Sequence, residues 1–323
     1  MTHDDIPETA LAWHRAGRTA ALATVVETWG SAPRQAGSQL AIAGDGEMAG
    51  SVSGGCVEGA VVTEALEAIA DGQPRLLTYG VSDDSAFAVG LACGGTIRIL
   101  VDPVAPTGLP EPLLAALCDA RAAPRAAVLA TDTTTWTRRL LSPGEDSAAD
   151  ARLRSDRSGM EEDGRFLAVH NPPLRLIVVG AVHIAQPLLT IARACGHAPT
   201  LIDPRGAFGS AARFPGETIL DDWPDEAMAA LKPDARTAIV TLTHDPKLDD
   251  PAILAALQSP AYYLGCLGSR KTHAKRLDRL AAAGATPDQI ARIHAPVGLD
   301  IGARSPAEIA VSIMAQIIQT LRQ

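Results

Sequence analysis

The stretch Leu174-Arg-Leu-Ile-Val-Val-Gly-Ala-Val-His-Ile-Ala185 decides the fold of the rear half of the chain. Leu174 to Val179 is a short apolar run rich in β-branched residues, the pattern of a strand buried on both faces. Gly180 interrupts it and leads into a helix running to about Cys195, with Gly196 placed to end it in a left-handed conformation. Thr200-Leu-Ile-Asp203 reads as a second strand, ending on an acid about 20 residues past that first glycine, as a dinucleotide-binding βαβ unit requires. Further strands at 237–242 and 261–264 alternate with helices near 226–231, 251–257 and 271–283. Ser305-Pro-Ala-Glu308 announces a last helix through a capping box with proline at its first position. Such alternation calls for a doubly wound parallel sheet with helices on both faces, a Rossmann-like α/β domain over 173–323.

Working backwards, Asn171-Pro-Pro173 is the clearest linker, and residues 1–170 ahead of it form a second, mixed α/β domain. A helix is expected over 7–16, a buried strand over 19–27, and an exposed loop at Trp29-Gly-Ser-Ala-Pro-Arg34. Extended stretches on either side of Gly44-Asp45-Gly46 then lead to Ser51-Val-Ser-Gly-Gly-Cys-Val-Glu-Gly59, which opens a helix of about 57–70. A strand over 75–79 and a loop over 80–86 precede Gly90-Leu-Ala-Cys-Gly-Gly95, and a strand over 96–101 follows. Between 104 and 170 the signals weaken to a helix over 111–122, a hairpin from 126–130 and 136–141, and a strand over 164–169. Residues 142–161, polar and rich in glycine, serine and aspartate, read as a mobile segment.

With 323 residues the chain suits two domains. Aromatics make up only 3%, so its cores must be built from aliphatics. A formal charge of -9 argues against sequence-independent nucleic-acid binding, which needs a basic face. Five cysteines without a pairing pattern fit a reducing compartment. The acidic start is unlike a signal peptide, and no apolar run reaches the roughly 20 residues of a membrane span, so a cytoplasmic location without membrane contact is expected.

Two turns carry the chemistry of the front domain. Gly54 and Gly55 let the backbone turn sharply before Cys56, and a thiol at a helix N-terminus tends towards the thiolate. Glu58 either orients a ligand or favours the first helical turn. Cys93, with Gly94 and Gly95, forms a near mirror image, and the two turns are expected to face one another across one site. For both cysteines the plainer alternative is a small buried hydrophobe. In the rear domain the glycine fingerprint is degraded to Gly180, Val182 and Ala185, the valine obstructing close approach of a pyrophosphate. His183, Asp203 and the His244 turn lie at the strand ends where ligands of open α/β sheets bind, although His183 and Asp203 can equally pack or pair, and His244 lies in a helix-capping region. Gly265-Cys-Leu-Gly-Ser-Arg-Lys271 starts a helix with cations that oppose its dipole, which favours an anion there over a plain strand-to-helix connection with a solvated basic turn.

Thr24 to Arg34, Gly50 to Glu58 and Gly90 to Gly95 resemble the N-terminal domain of the XdhC/CoxI family. Val179 to Gln186, Thr243 to Asp250, Leu267 to His273 and Pro296 to Ala303 resemble that family's Rossmann domain. The resemblance implies a chaperone that binds the molybdenum cofactor (a molybdopterin), holds it while a cysteine desulfurase installs a sulfido ligand, and passes it to an apo molybdenum hydroxylase such as xanthine dehydrogenase. It implies no turnover reaction of the chain's own. Its cysteines match Cys56 and Cys93, which would meet the metal; Gly54, Gly55, Glu58, Gly94, Gly95, Gly180, His183, Asp203, His244, Gly268, Ser269 and Arg270 would line the cofactor site. Thiolates are soft donors suited to such a centre. The alternative is an NAD(P)-dependent oxidoreductase using the rear domain. Homodimerisation is left open.

Overall fold

The computed structural model describes residues 5–30, 34–80, 95–206 and 208–322. The chain splits into two compact units, Met1–Pro172 and Pro173–Gln323. The Cys93–Gly94 turn, most of the 80–86 loop and the middle of the 29–34 loop lie outside the described residues.

In the first unit, β1 (Ala20–Trp29), β2 (Gln39–Ala43), β3 (Met48–Gly50), β4 (Arg75–Tyr79) and β5 (Thr96–Pro103) form an antiparallel sheet ordered β3-β2-β1-β5-β4. Side chains of β1 alternate between two cores, as the period of a strand dictates. Ala21, Ala23 and Val25 pack with Val61, Ala65 and Ala68 of α2 (Glu58–Asp71). Ala20, Leu22 and Val26 pack with α1 (Ile6–Arg15) and α3 (Glu111–Ala122). The short alanines let both layers approach closely.

A second antiparallel sheet, ordered β7-β6-β9-β8, comprises β6 (Ala127–Asp132), β7 (Arg138–Leu141), β8 (Gly159–Met160) and β9 (Arg165–His170). Its Leu129, Phe166 and Ala168 join the α1–α3 core. A bidentate ion pair ties the two sheets: Arg138 Nε donates to Asp102 Oδ2 at 2.9 Å and Nη2 to Oδ1, with both side chains at most 5% exposed. Residues 142–161 hold α4 (Ser147–Ser155), capped by Asp146, whose side chain accepts from the amides of Ala148 and Ala149. Their polarity belongs to a helix that buries only Ala149, so composition alone reads them as loop.

The second unit is a six-stranded parallel sheet of β10 (Leu174–Val179), β11 (His197–Ile202), β12 (Ile219–Leu220), β13 (Thr237–Thr241), β14 (Tyr263–Cys266) and β15 (Ile293–His294). Its order, β12-β11-β10-β13-β14-β15, is 3-2-1-4-5-6 when renumbered from β10, the Rossmann order. The helices are α5 (Ala185–Ala194), α6 (Pro224–Leu231), α7 (Pro246–Leu257), α8 (Arg270–Ala282), the short α9 (Pro287–Ile290) and the terminal α10 (Pro306–Arg322). Leu176 and Val178 of β10 face a core with α5 and α10. Ile177 and Val179 face the other core, with α6, α7 and Leu280 of α8. The helix expected from Pro251 starts five residues earlier, at Pro246, because Asp245 caps it by accepting from the Lys247 amide; Pro251 lies inside it. Among the described residues no helix is long and apolar enough to cross a membrane.

Candidate functional site

In the first unit, the loop from Ser51 to Val57 is folded around one carboxylate. Glu58 Oε1 accepts from Ser51 Oγ at 2.7 Å, Ser53 N at 2.9 Å and Val52 N at 3.2 Å. Oε2 accepts from Gly55 N at 2.9 Å and from the Ser53 hydroxyl. Burial pushes the Glu58 carboxyl up, but hydrogen bonds from Ser53 and Ser51 outweigh it and hold the group at about 2. The expectation that Glu58 orients a ligand gives way here to a structural role, since the loop's own donors occupy both oxygens. Gly54 and Gly55, at φ +75° and +109°, supply the left-handed turn that points those amides inwards. Cys56 follows, half-buried, with its amide donating to Ser53 Oγ at 3.0 Å. Gly95 is buried just ahead of β5. Cys93 and Gly94 lie outside the described residues, so the facing of the two cysteine turns rests on the sequence.

In the second unit the strand order reverses between β10 and β13, the position where sheets of this type hold ligands. Gly180 is required there: its φ is +111°, and a Cβ would lie 2.5 Å from Thr243 Cγ2. Asp203, expected to meet a ribose or other ligand, is instead turned inwards and 1% exposed. Its Oδ2 accepts from Ala181 N at 2.7 Å and Arg205 Nη2 at 2.7 Å, and its Oδ1 from Arg205 N at 3.0 Å and Nε at 2.9 Å. Burial raises the Asp203 carboxyl, yet Arg205 and the Ala181 amide bring it below the usual carboxylate range. The acid that would hold the adenosine ribose of NAD(P) thus closes the glycine turn, and half-buried Val182 stands at the second glycine position. This geometry gives NAD(P) no support. His183 is exposed on the same turn.

His244, at φ +61°, starts the next turn, and its Nδ1 lies 3.7 Å from where a Gly268 Cβ would stand. The structure therefore brings His244 together with the Gly268–Ser269 turn. Ser269 caps α8, its Oγ accepting from Thr272 N at 3.2 Å, and Arg270 is exposed beside it.

Two residues that sequence reasoning does not single out sit beneath this turn. Asp249 accepts from Thr243 Oγ1 at 2.6 Å and His244 N at 3.1 Å. Arg276, 1% exposed, donates from Nη2 to Leu267 O at 3.0 Å and to Asp249 Oδ2 at 3.4 Å. In the sequence Asp249 is visible only as one of two adjacent acids near the start of α7, and Arg276 is one cation among several on α8. Both line a cavity of about 240 Å³ with His244, Lys271, Lys275 and Arg279. Among the described residues no group of three or more His, Cys, Asp or Glu side chains could hold a metal ion.

Residues 176–317 match the family model described as the XdhC Rossmann domain, and residues 13–80 that of the XdhC and CoxI family. The molybdenum cofactor insertion chaperone PaoD of Escherichia coli is 31% identical over 304 residues, covering 93% of this chain and 83% of that protein. A probable xanthine dehydrogenase subunit of Bacillus subtilis is 27% identical over 317 residues, 94% of each chain. A solved structure described as a xanthine dehydrogenase from Bacillus halodurans shares the fold at a TM-score of 0.78 and 24% identity, covering 100% of this chain and 96% of that one.

Proposed function

The chain belongs to the XdhC and CoxI family, and from that premise we propose that it is a chaperone for the molybdenum cofactor. It receives the cofactor as cargo, holds it while a cysteine desulfurase installs a terminal sulfido ligand, and delivers it to an apo molybdenum hydroxylase of the xanthine dehydrogenase type. Two relatives, one named as a cofactor insertion chaperone and the other as part of a xanthine dehydrogenase, favour this reading.

The observation that carries it is the 51–58 loop. Glu58 fixes the backbone while Cys56 stays half-buried beside the start of α2, a thiol presented on a rigid frame. Sulfur is a soft donor, suited to a thiophilic metal centre. Cys93, with Gly94 and Gly95 beside it in the sequence, is the second thiol proposed for the metal end. Within the rear unit Gly180, His183, His244, Gly268, Ser269 and Arg270 are proposed as candidates for contact with the cofactor's phosphate, because helix N-termini and cations suit it.

Protein purified without air from cells making the cofactor should carry molybdenum and pterin. The variant Cys56→Ala/Cys93→Ala should retain at least tenfold less. Equal retention by the two would remove the thiols from the site.

A further inference from the structure

Arg276 poses a problem that its neighbours do not solve. Its guanidinium is buried, yet among the described residues Nε and Nη1 have no hydrogen-bond partner. Buried N–H donors without acceptors are rare, and each calls for an explanation such as a bound ion. Asp249 does not neutralise it well. The nearest carboxylate oxygen is 3.4 Å from Nη2 and is shared with the His244 amide, while the other serves Thr243. Burial also pushes the Asp249 carboxyl up despite Thr243 and Arg276.

More cations surround the same cavity. Lys271, Lys275, Arg276 and Arg279 recur at spacings that place them on one side of α8. Arg279 is answered by Asp250, with contacts of 2.5 Å and 3.0 Å. Lys271 and Lys275 are exposed, and among the described residues neither has a carboxylate at ion-pair distance. A chain of net charge -9 therefore gathers unanswered positive charge at one place. At about 240 Å³ the cavity falls below the roughly 300–1,000 Å³ that encloses a whole drug-sized ligand. It fits one end of a ligand.

We infer that the cleft between α7 and α8 is a phosphate subsite, with Arg276 as its floor and Lys271 and Lys275 as its rim. It takes a phosphoryl group, whether as free phosphate or as the phosphorylated end of a larger molecule. Its assignment to the cargo's phosphate rests on the chaperone reading; the subsite itself rests on the cleft.

The test uses the full chain and two measurements. Isothermal titration with inorganic pyrophosphate at fixed ionic strength should show one saturable site. The exposed-residue variant Lys271→Ala/Lys275→Ala should bind at least tenfold more weakly while melting at the same temperature as the wild type. Arg276→Met should lose binding too, but it can also unfold, so the lysine pair decides. Pyrophosphate binding that fails to saturate, or is equal in wild type and lysine variant, overturns the subsite. Molybdenum and pterin analysis of the same two proteins separates the readings. Wild type and variant holding equal cofactor would overturn the cleft as the cargo's phosphate seat and leave the chaperone reading standing. Wild type without cofactor, but with lysine-dependent pyrophosphate binding, would overturn the chaperone reading and support the subsite.

Discussion

Glu58 takes hydrogen bonds from Ser51, Val52, Ser53 and Gly55, and so does for its loop what a bound ion does elsewhere. Its carboxyl is held at about 2 against an ordinary 4.5, so the stabilisation is fully present above pH 4.5 and is lost as pH falls towards 2. Glu58→Gln should cost about 2 kcal/mol at pH 7, and urea titrations should show that gap shrinking between pH 4.5 and 2. A gap independent of pH would contradict the ionised role. At Gly180 an alanine meets both a left-handed backbone and the Thr243 methyl, so Gly180→Ala should destabilise by about 2–4 kcal/mol. Adding Thr243→Ser should recover only the steric part, which denaturant midpoints can resolve. Gly54, Gly55 and Gly180 are legible in the sequence because glycine declares a backbone requirement by itself. Asp249 and Arg276 are not: their meaning depends on three chain segments meeting, which no local pattern records.

Among the elements, the apolar strands and the amphipathic helices of the rear unit follow from periodicity, since β10, β11, β13 and β14 are each covered on both faces. Helix boundaries are harder. Pro251 marks a start for α7 because proline often opens helices, whereas the Asp245 cap and Pro246 supply an earlier one. Helix α4 escapes a reading by pattern because it buries only Ala149 and so has little apolar stripe. Between the two front sheets, the Asp102–Arg138 pair is buried and bidentate. Removing one partner strands the other, so Arg138→Ala should cost about 3–5 kcal/mol, whereas Asp102→Leu/Arg138→Met should recover most of it. Calorimetric melting of the three proteins checks this; a double variant no better than the single one would mean that the sheets need the charges themselves.

For the whole molecule, each unit closes its own cores: two flank the central strand of the front sheet, and two flank β10. Fragments 1–172 and 173–323, made separately, should each unfold in urea with one cooperative transition. A fragment without such a transition would show that its core depends on the other. The division at the Asn171-Pro-Pro173 stretch coincides with the composition change visible in the sequence, while the Cys93 turn stays beyond the described residues.

The four hydrogen bonds gathered on Asp203 have a consequence for redesign. Val182→Gly alone would not turn the rear unit into a nicotinamide enzyme, because the ribose-binding acid would still be occupied. Removing the Arg205 side chain to release it would leave the Asp203 carboxylate without its counter-ion, with only the Ala181 amide and one other main-chain donor for company. The acid that this architecture uses for a ribose is thus held by a lock whose opening undermines the wall it sits in.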